Sequence, residues 1–404
     1  MSNFTTVRDL HKDVLDRCGE ISNSDSDFYN KSLEYLNRAH LAVLSGSNEL
    51  GIEVGEPFVW AKSKNPGVLN LVAPYETGTI SVTASSTSAT LSVAPSISLA
   101  GYYIRVSDRP EYFRVSAHTA ATTSITLDAA YTDETGSGLS FVAYKFEYQL
   151  VSGLVRLITP MRVYRNQGWD SNNDGHVDHL DLDTLLEQYP GHLIQRKIPT
   201  RFAQTHKDQL GVLTVRFNHP TNIAARVEYE YIPTPSRLVS VEFSDAAVTT
   251  GSDLITITDH GLTDGQIVQF DNEGGSLPAG LSKDTNYYVV SSTSSTFKVS
   301  TTLGGSAVDI TAATGGGTHY VSNLPLVPIE HRVVLSYYAA YFIFMDKNDT
   351  AAKDMQALAA AGVESLVQAN KRERINSGRY HLFRLVPRLE NASSNRRYYV
   401  QEVS

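Results

Sequence analysis

Val333-Val-Leu-Ser-Tyr-Tyr-Ala-Ala-Tyr-Phe-Ile-Phe-Met345 is the most apolar run of the chain. Its 13 residues fall short of the roughly 20 needed to cross a bilayer, so the run predicts a buried helix and no membrane anchor. That helix is expected from about Ile329 to Met345. Asp346-Lys-Asn-Asp349-Thr350 then supplies a turn and the next N-cap, and a second helix is expected from Thr350 to Arg374. Along it Ala351, Ala352, Met355, Leu358, Ala359, Val363, Leu366 and Val367 form an Ala-rich face that lets a neighbour approach closely.

The other end of the chain reads the same way. Val7, Leu10 and Val14 recur at helical spacing after Thr6. A second helix follows the cap-like cluster Ser24-Asp25-Ser26-Asp27, with Phe28, Leu33, Leu36, Ala39 and Leu41-Ala42 on one side.

Between these ends the period changes. From Thr77 to about Tyr144 the chain runs TISVTAS, ATLSVAP, YYIRVSD, YFRVSAH, SITLDAAY and SFVAYKF, short β-branched or aromatic strands separated by Ser/Thr/Gly/Asp turns. A second such block runs from about Val239 to Val321, with VSVEF, LITITD, QIVQFD, NYYVVSS, TFKVST and AVDITA. The alternating strand Arg226-Val-Glu-Tyr-Glu-Tyr-Ile-Pro precedes it and Leu324-Pro-Leu-Val-Pro follows, as expected of a module inserted in a surface loop. The fold class expected is α+β: a helical bundle formed by the N- and C-terminal helices, with two inserted small β-domains, each a barrel or sandwich. The expected divisions are residues 1–75 (helical part of the core), 76–146 (inserted β-domain), 147–237 (core strands), 238–322 (second inserted β-domain), 323–378 (C-terminal helices) and 379–404 (an extended basic arm).

Composition narrows the function. The chain has 404 residues, 41% hydrophobic and 19% charged, which is enough apolar material for packed cores. Its net charge of -9 argues against a protein that coats nucleic acid with its whole surface. The single Cys18 excludes an intrachain disulfide framework. The opening MSNFTTVRDLHKDVLDRCGE is too polar for a secretion signal. No P-loop, G-x-S-x-G or H-E-x-x-H pattern is present, and the expectation is that the chain is not an enzyme.

One constellation carries ion chemistry. Asp170, Asn172 and Asp174 occupy positions 1, 3 and 5 of a twelve-residue loop, with Gly175 at the sharp turn. His176 offers a backbone carbonyl, Val177 is an apolar anchor, and Asp178 and Asp181 stand at positions 9 and 12. The loop resembles those of EF-hands, and more closely dockerin-type loops, whose last ligand is often Asp. It predicts a structural Ca2+ ion. The same residues also read as a solvated Asx-rich turn before a helix at Leu182 to Tyr189. Asp259-His260 falls in a turn between strands, where a surface histidine is expected.

The C-terminal end is basic. Lys371 to Ser404 carries eight Lys/Arg and three Glu, so the rest of the chain is strongly acidic. Arg379, Arg384, Arg388, Arg396 and Arg397, interleaved with Phe383 and Tyr398, fit an arm that reaches an acidic protein partner.

The two N-terminal helices, a β-insert and Phe146-Glu-Tyr-Gln-Leu-Val-Ser-Gly-Leu-Val-Arg-Leu resemble the head-to-tail adaptor (connector) proteins of tailed bacteriophages. So do Tyr189-Pro-Gly191, Leu213-Thr-Val-Arg-Phe-Asn-His-Pro220, the Tyr-rich strand Val227 to Tyr231 and Leu335-Ser-Tyr-Tyr-Ala-Ala-Tyr. The resemblance implies a homo-oligomeric ring of about a dozen copies, helices side by side around a channel through which DNA passes without sequence-specific binding. It implies docking on the portal protein, contact with a tail or stopper protein, and a place in the virion neck after synthesis in the host cytoplasm. Two other readings stand beside it. One is a calcium-stabilised carbohydrate- or host-binding protein, and the other is a different neck or tail part such as a stopper, terminator or baseplate piece.

Overall fold

The computed structural model describes residues 5–19, 26–46, 49–52, 54–107, 109, 111–165, 175–189 and 196–376. Helix α1 (Val7–Arg17) opens on a capping box in which the Thr6 side chain accepts from the Asp9 N–H and Asp9 accepts from the Thr6 N–H at 2.9 Å. Helix α2 (Ser26–Ser45) follows. After a short 3-10 turn at Val59–Ala61, strand β1 (Gly67–Leu71) leads into the first run of strands. That run comprises β2 (Ile80–Val82), β3 (Ser88–Leu91), β4 (Tyr103–Val106), β5 (Phe113–His118), β6 (Ser124–Leu127), β7 (Gly136–Leu139) and β8 (Phe141–Tyr144).

The middle of the chain supplies β9 (Glu147–Gln149), β10 (Leu154–Arg165), β11 (Gly175–His179), helix α3 (Leu182–Gln188), β12 (Arg201–Lys207), β13 (Leu213–Phe217) and β14 (Ala225–Pro233). A last run of strands holds β15 (Ser240–Phe243), β16 (Val248–Thr249), β17 (Leu254–Thr256), β18 (Ile267–Glu273), β19 (Tyr287–Val290), β20 (Thr296–Ser300) and β21 (Thr318–Asn323). Helices α4 (Val333–Asp346) and α5 (Ala352–Asn376) close the described chain.

These strands form three seven-stranded sheets. The first has the order β7-β2-β3-β6-β5-β4-β8. Its two edges, β7 and β8, are separated only by Ser140, so the sheet must curl until they lie together, which makes a nearly closed barrel. Ile80, Leu91, Ile104, Val115, Ile125 and Phe141 fill it. The last run closes by the same device, because its edge strands β15 and β16 are joined only through Ser244 and the 3-10 turn Asp245–Ala247. Val268, Phe270, Val289, Phe297 and Val321 form that core.

The remaining sheet runs β1-β14-β10-β11-β12-β13-β9, antiparallel except for the parallel pair β11 and β12. It draws strands from both sides of the first barrel, with Gly67 opposite Tyr229 and Leu71 opposite Ala225. A hydrogen bond from the Val72 N–H to the Tyr148 hydroxyl, 3.2 Å, ties the neighbourhood of one edge strand to the other.

The expected architecture, a helical bundle with two small β-inserts, is therefore overturned. The protein is mostly β, and the helices are a minority beside three sheets of equal strand number. The physical reason lies in the central sheet. Its strands meet across long stretches of sequence, and strand periodicity says which residues face a core without saying which strands pair.

Candidate assembly surfaces and the acidic loop

Helix α4 is buried on nearly every side, with Leu335, Tyr338, Ala339, Phe342 and Ile343 among the residues that α1, α2 and α5 cover. Helix α5 turns Ala359, Val363, Leu366 and Asn370 inward. Gly362 permits the close crossing, since a Cβ there would stand 2.7 Å from the Val334 side chain. Asn370 locks the far end, accepting from the Val59 N–H at 2.9 Å and donating to the Pro57 carbonyl at 3.3 Å. No described residue covers the opposite face of α5. Ala357, Leu358, Ala361 and Ser365 are exposed there together with Asp354 and Glu364, Leu358 to 41%.

The helical layer is fastened to the last barrel through α1. The Arg8 guanidinium, buried at 4% exposure, pairs with Asp271 at 3.1 Å and Glu273 at 2.6 Å on β18 and lies over the Tyr320 ring. Lys12 adds a second contact to Glu273 at 2.7 Å and holds that carboxyl below its ordinary range. On the return path Arg332 donates to the carbonyls of Val327, Pro325 and Thr5, joining the exit from the barrel to the start of α1. Two histidines are enclosed in the same layer. Burial pushes His11 and His40 each down to about 4, and the nearby Arg8 and Arg332 charges act in the same direction.

None of Arg8, His11, His40 and Arg332 was singled out by sequence. A signal existed for two of them. Arg8, His11 and Leu15 lie at i, i+3 and i+7, so α1 buries a stripe wider than Val7, Leu10 and Val14 alone.

The acidic loop is divided. Asp170, Asn172 and Asp174 lie outside the described residues. His176 and Asp178 sit on β11, on the face opposite the buried Val177. The Asp178 carboxylate is held by Arg201. Asp181 caps α3, accepting from the Thr184 N–H at 2.9 Å, and hydrogen bonds from the Thr184 hydroxyl and N–H hold its carboxyl below the usual range. These two carboxylates are thus committed to protein partners, and the Arg201 charge beside Asp178 works against a cation there. Among the described residues no group of three or more His, Cys, Asp and Glu is placed to hold a metal, and three of the loop's six expected donors fall outside them.

The arm residues Arg379, Phe383, Arg384, Arg388, Arg396, Arg397 and Tyr398 also lie outside the described residues. Lys371 and Arg372, the first of the basic run, are exposed on the last turns of α5. His260, expected at the surface, is buried. Its ring packs on Phe297 and its Nδ1 accepts from the Leu262 N–H at 3.0 Å.

Among the described residues no helix is long and apolar enough to cross a membrane. No family model matches the chain, and neither the curated proteins nor the solved structures hold a match to it.

Proposed function

We propose that this chain is a structural protein of a tailed-phage neck, an adaptor whose copies form a ring that docks on the portal and links capsid to tail. The observation that carries the reading is the face of α5 that no described residue covers. A 25-residue helix is fixed along one side by α4 and Asn370, while Ala357, Leu358, Ala361 and Ser365 face solvent on the other. Small side chains spaced by four residues allow a second helix to approach closely, and Leu358 gives such a contact apolar area to bury. The two barrels and the basic run that begins at Lys371 would then be the parts that meet other virion proteins.

The reading concerns assembly and needs no turnover. The lowered values of His11 and His40 follow from their burial in the helical layer. In the same account a Ca2+ ion in the loop would be a local stabiliser, requiring Asp178 and Asp181 to give up their present partners.

The test is to incubate the purified chain with the portal protein encoded in the same genome and image the product. Rings of the chain seated on portal support the proposal. A chain that neither assembles nor binds portal removes it.

A further inference from the structure

Each barrel exposes apolar side chains at one place where the surrounding chain is nearly free of charge. On the first barrel this is the loop between β3 and β4, where Val93 is 43% and Ile97 44% exposed. No Asp, Glu, Lys or Arg occurs between Glu76 and Arg105. The loop is held in shape by its own hydrogen bonds. The Ala121 N–H donates to the Pro95 carbonyl at 2.7 Å, and the Ser98 hydroxyl donates to the His118 carbonyl at 2.7 Å.

On the last barrel the place is a groove of about 590 Å³. Val290 and Lys298, cross-strand neighbours on β19 and β20, lie in it, and the turn through Leu303 and Gly305 borders it. Leu303 is 69% exposed. Asp264 at one end is occupied, accepting from the Ser292 N–H at 2.7 Å. Lys298 is the one charge in the sequence between Asp284 and Asp309, and it meets no carboxylate among the described residues.

We infer that the Val93–Ile97 loop of one copy seats in the Leu303 groove of the next copy. This rests on the reading that copies assemble, and it adds a second contact between copies to the one offered by the face of α5. Charge selects the occupant. A chain of net charge -9 repels its own copies across most surfaces, so contact is favoured where both sides are neutral or where a lone cation meets acceptors. The loop offers such acceptors, because the carbonyls of Ala94 and Ser96 receive no hydrogen bond among the described residues. Val93 and Ile97 would cover Val290 and Leu303 while Lys298 meets those carbonyls. The two surfaces differ, so the contact is head-to-tail, the type that closes into rings or continues into filaments and does not stop at a dimer.

The test uses full-length chains in a Cys18→Ser background, so that only introduced thiols react. An Ile97→Cys chain is mixed with a Leu303→Cys chain under mild oxidation. Disulfides need Cα atoms within about 7 Å, so the expected product is a dimer containing one chain of each kind, told apart by a mass tag. A Leu303→Asp chain with an unchanged melting temperature should show self-association weakened by about thirtyfold or more in sedimentation. Rings that form without any mixed disulfide, or with equal affinity in the Leu303→Asp chain, overturn this contact and leave the adaptor reading standing. A chain that stays single at every concentration and with portal present removes both.

Discussion

Lowering the pH from about 8 to about 5 should loosen the helical layer through two buried histidines. His11 and His40 titrate near 4 in the folded chain against an ordinary value of 6.5, because burial disfavours the charged ring. The unfolded chain therefore takes up protons below 6.5 that the folded chain refuses. Stability from this source is complete above about pH 6.5 and is lost as the pH falls toward 4. At about pH 5 the loss is of order 2 kcal/mol for each histidine, about 4 kcal/mol for the pair, a large share of the 5–15 kcal/mol typical of a folded domain. Carboxylates whose values are lowered, such as Glu273 and Asp245, lose their contribution in more acid solution, and this separates the two effects. The assay is denaturant unfolding followed by far-UV circular dichroism at both pH values, in the parent chain and in a His11→Gln/His40→Leu chain. The double variant is less stable at pH 8 but should lose little more on acidification. An equal acid loss in both chains would refute the assignment.

The remaining predictions concern single contacts. Arg8→Ala removes a buried guanidinium from Asp271, Glu273 and the Tyr320 ring but leaves Asp271 its Lys283 partner at 2.7 Å, and should cost about 1–2 kcal/mol, seen as lower melting and faster hydrogen exchange at the ends of α1 and β18. Gly362→Val drives a side chain into Val334 and should cost about 1–3 kcal/mol in unfolding, while Gly251→Ala, in open space, should be nearly silent. Calorimetry should give weak Ca2+ uptake by the parent chain and uptake about fivefold tighter in Arg201→Ala, which frees Asp178. Equal heats with and without the ion would remove the calcium site.

The helices were legible because their signals are local. Thr6 and Asp9 spell a capping box three residues apart, and Asp346 to Thr350 carries the turn between α4 and α5. Many barrel strands were legible for the same reason, since Ile80, Val82, Ala89 and Leu91 alternate inward along short β-branched runs. Strand β7, Gly136-Ser-Gly-Leu139, was missed because two glycines erase the alternation. AVDITA, read as a strand, contributes only an isolated bridge at Ala312, and β21 takes the place in the sheet instead.

The central sheet was not legible as a sheet. Nothing in Gly67–Leu71 announces a partner at Ala225–Tyr229, with the first barrel lying between them in sequence. Arg8 was passed over because a charge on an amphipathic helix is ordinarily solvated, and only the distant Asp271 and Glu273 make its burial tolerable. The partner of Asp178 was not legible either, since Arg201 stands more than twenty positions away.

The molar mass of the purified chain, measured alone across concentration and again with portal present, bears most directly on the account. A discrete closed oligomer that an Ala361→Glu substitution on the open face of α5 disperses is the predicted result. A single-copy mass in both conditions, with the fold intact, would contradict it.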